Sequence, residues 1–158
     1  ANLDYINRLG IAIGGSYINI YNMYYLRKIA LQKLKDISDY TFLLRVDLRI
    51  DFINIEDWIS NNMYHTIKYR AWRNIAECLN HNLYGCEHIP ISDHCSIGET
   101  QLLLKFYNMD DNEINNLFQI SQSAEDSILN RLRQLNIKFN KHSNPNVDKM
   151  WLISTGNQ

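Results

Sequence analysis

Three helix-start signals follow one another between Ser96 and Asp126, and they constrain the second half of this chain to a run of short helices. Ser96-Ile-Gly-Glu99 has the spacing of a capping box ahead of LLLKFY. In such a box the hydroxyl accepts from the N–H three residues on. The glutamate accepts from the first N–H in return, so two donors that the helix leaves unpaired are satisfied. Asp110-Asp-Asn-Glu113 has the acid-rich chemistry of a helix start before Ile114, Leu117 and Phe118, and Ser123-Ala-Glu-Asp126 precedes Ile128, Leu129, Leu132 and Leu135. These spacings predict helices over 99–107, 111–119 and 124–136, with a turn at Gln119–Ser123. After 136 the helical period is lost. IKF (137–139) and MWLIST (150–155) have strand composition and could pair as a hairpin across HSNPNVD.

The first half also reads as helical. An apolar stripe through Ile20, Met23, Leu26, Ile29 and Leu34 predicts a helix over 17–35, with Lys33 and Lys35 suited to its negative C-terminal end. Leu3, Ile6 and Leu9 share an earlier helical face that fades at Gly14-Gly15. Ser38-Asp39 predicts a helix start before TFLLRV, and LRIDFINI (48–55) alternates as an extended segment would. Over 63–84, Ile67, Ala71, Ile75, Leu79 and Leu83 recur every fourth residue, until Asn82 and Gly85 end the pattern. Only two prolines and six glycines interrupt these stretches. The expected fold class is mainly α: a helical lobe over 1–85, a connecting loop over 86–95 broken by Pro90, and a winged-helix-like lobe over 96–158 with three helices and room for a small β-hairpin. A chain of 158 residues buries roughly 70% of its unfolded surface, so its core needs neither metal nor disulfide.

Charge narrows the function. Residues 1–98 carry ten basic and ten acidic side chains, and residues 99–158 carry six and seven, so neither half has the basic excess of a protein held by phosphates. No run reaches the ~20 apolar residues of a membrane span; residues 9–26 come closest and are broken by Gly14, Gly15, Ser16, Asn19 and Asn22. Three cysteines cannot all pair within one chain, which favours a reducing, cytoplasmic setting.

Cysteine and histidine are concentrated in CLNHNLYGCEHIPISDHC, residues 78–95. Zinc takes three or four thiolates or imidazoles converging tetrahedrally. Cys78 with His81, Cys86 with His88, and His94 with Cys95 supply that chemistry. Their spacing matches none of the paired-knuckle patterns, so two partly buried thiols and exposed loop histidines form the simpler expectation. GIAIGG lacks the spacing of a phosphate-binding glycine loop. No catalytic constellation stands out, and no cofactor or enzymatic activity is expected.

The order of elements over 99–155 resembles a winged helix-turn-helix, and Glu113-Ile114, Ile120-Ser121 and the stripe Ile128, Leu132, Leu135 resemble regulator modules of LuxR type. Such modules place the start of the third helix in the major groove. Here that start is Ala124, Glu125 and Asp126, which opposes the phosphate field. Arg131, Arg133, Lys138 and Lys141 are the backbone contacts this alternative, a DNA-binding transcriptional regulator, would use.

Arg8-Leu9-Gly10, Ile11, Ile13, Gly14 and Leu26, then Leu34, Tyr40-Thr-Phe42-Leu43, Trp72, Ala76, Cys78, Leu79 and Leu83, carry a second resemblance. Residues 5–84 resemble the YscK/OrgA-type accessory subunit of the type III secretion sorting platform. That resemblance implies a non-enzymatic cytosolic adaptor partnered by other proteins of the platform, and it assigns no individual functional residue. Independently, Tyr17, Tyr21, Tyr24 and Tyr25 cannot all face inward on one helix, so part of this set is expected at the surface and the four are the candidate protein-interaction residues.

Overall fold

The computed structural model describes residues 17–45, 55–67, 91–121 and 124–142. Helix α1 (Tyr17–Leu34) leads to strand β1 (Tyr40–Leu44), and a single 3-10 turn (Ile55–Trp58) precedes β2 (Met63–Ile67). Strand β3 (Cys95–Glu99) runs directly into α2 (Thr100–Tyr107), followed by α3 (Asp111–Gln119), α4 (Ala124–Gln134) and β4 (Lys138–His142). The strands form one mixed sheet in the order β1-β3-β2-β4. β3 is antiparallel to both neighbours, with Phe42 and His65 each opposite Ile97, while β2 and β4 run parallel.

This is an α/β fold, and it corrects the mainly α, winged-helix-like expectation. Three segments account for the change. TFLL lies in β1 and not in a helix; its aromatic and branched residues suit a pleated surface, and all four pair with β3. Residues 63–67, expected to begin the long helix, form β2, whose residues from Tyr64 to Ile67 are all buried, as in a strand covered on both faces. The recurrence of one apolar residue in four from Ile67 onward extends back to Met63, so spacing alone drew this strand into the helical pattern of the residues after it; residues 68–84 lie outside the described residues.

The capping box expected at Ser96–Glu99 is likewise replaced by β3. Pairing with strands on both sides outweighs two capping bonds. The Ser96 hydroxyl lies among Tyr64 and Tyr107, and Glu99, at the N-cap of α2, makes no side-chain capping bond. A capping box forms instead at the second start signal: Asp110 Oδ1 accepts from the Glu113 N–H at 2.8 Å, and Glu113 Oε2 accepts from the Asp110 N–H at 3.0 Å. The third helix ends at Gln134, two residues earlier than expected. Asn136 adopts φ 51°, and the N–H groups of Asn136 and Ile137 donate back to the carbonyls of Arg133 and Leu132, a Schellman closure. β4 realises the strand expected at 137–139, but as a parallel partner of β2; the expected hairpin partner, 150–155, lies outside the described residues, as do 3–9 and 48–54.

All four helices contribute to the core on one face of the sheet, where Tyr24, Leu31, Tyr64, Leu103, Phe106, Leu117, Ile128 and Leu132 are closed to solvent. Trp58, Ile67, Cys95 and Ile97 form a second cluster with Phe42. Among the described residues, elements before and after residues 86–95 share the sheet and the larger core. None of the described helices is long and apolar enough to cross a membrane.

The buried face of α1 is not quite the apolar stripe. It runs through Ile20, Tyr24 and Leu31, while Leu26 is 63% exposed. Arg27 holds the intervening helical position. Its Nη1 donates to the Tyr107 hydroxyl at 2.8 Å and the Ser96 hydroxyl at 3.2 Å, and its Nη2 donates to the Asp93 carbonyl at 2.6 Å. The guanidinium also lies 5.6 Å from the centroid of the Tyr107 ring. One side chain thereby ties α1 to β3, to α2 and to the segment entering β3.

Replacing Arg27 with Met removes these charged donors from partly buried acceptors. Urea denaturation should show a loss of about 2–3 kcal/mol, and Arg27→Lys should not restore it, because a single ammonium cannot reproduce the planar fork. Gly98→Ala should cost about 1–3 kcal/mol in the same measurement: a Cβ there would sit 3.0 Å from the Met63 carbonyl oxygen on the adjacent strand.

Candidate functional site

The four tyrosines of α1 are divided by the fold. Tyr24 is buried, its hydroxyl 2.8 Å from that of Ser127 on α4, and burial pushes its pKa well up, so the phenol stays neutral. Tyr21 is also buried, and its hydroxyl donates to the Asp111 carboxylate at 2.7 Å. These two are therefore core anchors and not docking residues. The Tyr17 side chain lies outside the described residues. Tyr25 remains at the surface, 47% exposed. Its ring stacks on that of Tyr21 with centroids 6.2 Å apart and planes 12° from parallel. The i, i+4 spacing on one helix places the two rings side by side.

Tyr25 borders an open groove of about 420 Å³ between α1 and the start of α3, lined also by Lys28, Met109, Asp110, Asp111 and Ile114. Lys28 Nζ donates to the Met109 carbonyl at 2.8 Å, which holds the lysine stem along the groove. Met109 and Ile114 are nearly closed to solvent. A rigid ring, an apolar lining and charges of both signs suit the capture of a side chain from another protein.

The cysteine and histidine expectations divide differently. Cys95 is buried in β3, burial pushes its thiol pKa up, and its Sγ lies 3.7 Å from the Thr66 hydroxyl. A neutral, enclosed thiol is a poor zinc ligand. His94 Nε2 is 3.5 Å from the Asp93 carboxylate. No group of three or more His, Cys, Asp or Glu side chains among the described residues could hold a metal ion. Cys78, His81, Cys86 and His88 lie outside those residues. Of the cations considered for DNA, Arg131 is buried, with its Nε donating to the Phe106 carbonyl at 3.2 Å and its Nη1 3.8 Å from Glu113. Arg133 and Lys138 are exposed, and Lys141 is half-buried.

The structure also assembles a constellation that the sequence did not reveal. Ser60 Oγ lies 2.7 Å from His65 Nε2, and His65 Nδ1 lies 2.9 Å from His142 Nε2. The register of β2 against β4 brings the two imidazoles together, since Ile67 is opposite His142 and His65 is two residues back on the same face. The Trp58 ring stacks on His142 with centroids 3.8 Å apart. Burial, and then the neighbouring His142, push the His65 pKa down to about 4. Burial lowers that of His142 too, opposed by the Asp57 carboxylate. Positions 60, 65 and 142 have no spacing that links them before the strands pair, so no sequence signal could have found them.

A histidine whose folded pKa lies below its unfolded value of about 6.5 stabilises the fold fully above that value, and the contribution is lost as pH falls toward the folded pKa. The midpoint of thermal unfolding should therefore drop between pH 6.5 and pH 4. His65→Asn should flatten that part of the profile.

Comparison with protein-family models, with curated proteins and with solved structures finds no match for this chain.

Proposed function

We propose that this protein is an interaction adaptor that docks another protein at the groove beside Tyr25. The observation that carries this is a half-exposed aromatic ring, fixed by stacking on a buried tyrosine, over a lining of Met109 and Ile114 rimmed by Lys28, Asp110 and Asp111. Fixed aromatic rings make good anchors because they bury a large area while losing little conformational freedom. Leu26, adjacent in sequence and 63% exposed, widens the apolar surface of α1. The formal net charge of −1 fits a partner held by contact and not by a strong field.

The resemblance of residues 5–84 to the YscK/OrgA-type subunits supports a secretion sorting platform as the assembly in which this adaptor works. DNA gains no support from the geometry. Glu125 and Asp126 open α4, Arg131 is turned into the core, and β4 is committed to the sheet instead of to a wing.

The test is co-purification of the full chain from its native source, in parallel with Tyr25→Ala and Arg133→Ala variants. Tyr25→Ala should leave folding stability within about 0.5 kcal/mol of the parent, as for a surface change. It should weaken partner binding about 30-fold, the equivalent of roughly 2 kcal/mol at a hot spot. Arg133→Ala should bind like the parent. Equal recovery by all three chains would remove the groove as the docking site, and partners unrelated to secretion would remove the platform.

A further inference from the structure

We propose that Ser60, His65 and His142 form a nucleophile, a general base and a positioning residue that together can cleave carboxylic esters. This goes beyond the docking role and rests on none of the groove residues. The distances are those that acyl transfer requires: a hydroxyl within hydrogen-bond reach of an imidazole, whose other nitrogen is held by a third group. Ser60 Oγ and His65 Nε2 are 2.7 Å apart, and His65 Nδ1 and His142 Nε2 are 2.9 Å apart.

Sheet register places the two imidazoles, and the tautomer sets the protons. When Nδ1–H of His65 donates to Nε2 of His142, His65 Nε2 carries the lone pair that faces the serine hydroxyl. His142 is itself held by the Trp58 ring, with Asp57 as a nearby negative charge. Burial and the neighbouring His142 leave His65 neutral above about pH 4, so its role as base rests on its hydrogen-bond reach to Ser60 and not on its basicity. Ser60 lies on the loop before β2 and is only half-buried, whereas His65 is 1% exposed, so the nucleophile is open to solvent and its base is sealed.

The reaction balances without a cofactor. Ser60 Oγ attacks the ester carbonyl carbon as its proton passes to His65 Nε2. The bond from carbon to the alkoxy oxygen breaks, and that oxygen takes the proton from His65 and leaves as the alcohol. Water then attacks the acyl-Ser60 carbon and gives a proton to His65. The bond to Oγ breaks, Oγ recovers that proton, and the carboxylic acid departs.

The experiment uses the full chain with a fluorophosphonate probe and with p-nitrophenyl acetate, folding being checked by thermal unfolding. Peptide mass spectrometry should find one equivalent of probe on Ser60 and not on the other serines, and Ser60→Ala, the loss of one oxygen, should abolish it. His65→Gln should slow labelling at least about 100-fold, the usual scale for a general base. His142→Ala should slow labelling, and His142→Gln, whose side-chain carbonyl can still accept from Nδ1–H, should recover part of the rate. A merely structural role for the trio would show no probe on Ser60 of the folded parent chain, and that result alone overturns the proposal. Labelling of Ser60 at an undiminished rate in folded His65→Gln overturns it too.

Discussion

The donation of Arg27 to three groups at once is the interaction on which the rest of this architecture depends. Its guanidinium reaches the Tyr107 hydroxyl, the Ser96 hydroxyl and the Asp93 carbonyl. Those groups belong to α2, to β3 and to the segment that leads into β3. The same Ser96 hydroxyl lies 2.5 Å from that of Tyr64 on β2, so the network crosses the two central strands. Four polar side chains are thereby satisfied within a mainly apolar layer. A polar group left without its partner there costs more than the bond itself contributes. The fold consequently fixes the rotation of α1 as well as its position.

That rotation has a consequence at the surface. With Arg27, Tyr24 and Leu31 turned inward, Tyr25 and Leu26 face outward. Tyr21 is fixed by Asp111 at the start of α3 and in turn supports the Tyr25 ring. The groove beside Tyr25 is therefore defined by the same packing that seats the helix. The second cluster, around Trp58, Ile97 and Ile67, has a different origin: it is built on the sheet, and the pairing of β2 with β4 brings His65 to His142.

Local chemistry was legible wherever one segment could satisfy itself. The helix over 17–35 was found to within a residue at its end, 111–119 matched in full, and Asp110 with Glu113 closes its box within four residues of chain. Failures came where a segment had a distant partner. Ser96 and Glu99 have the spacing of a cap, but β1 and β2 supply a ladder on each side. MYHTI was absorbed into a helical period that belongs to the residues after it. Aromatic crowding on α1 implies that some of its tyrosines face outward but not which; hydroxyl partners 90 and 103 residues away take Tyr21 and Tyr24 into the core. Leu26 was read as core because it is apolar, although Arg27 carries the more valuable set of bonds.

The sequence by itself determined the short helices of the second half, the helix at 17–34 and the balanced charge. Each of these follows from interactions between residues a few positions apart, which any chain with that local pattern would make. Only the tertiary structure decided that the fold is α/β, that Arg27 sits in the place of an apolar residue, and that Ser60, His65 and His142 meet. The reason is physical: strand pairing and polar satisfaction join residues tens of positions apart, and neither leaves a period along the chain.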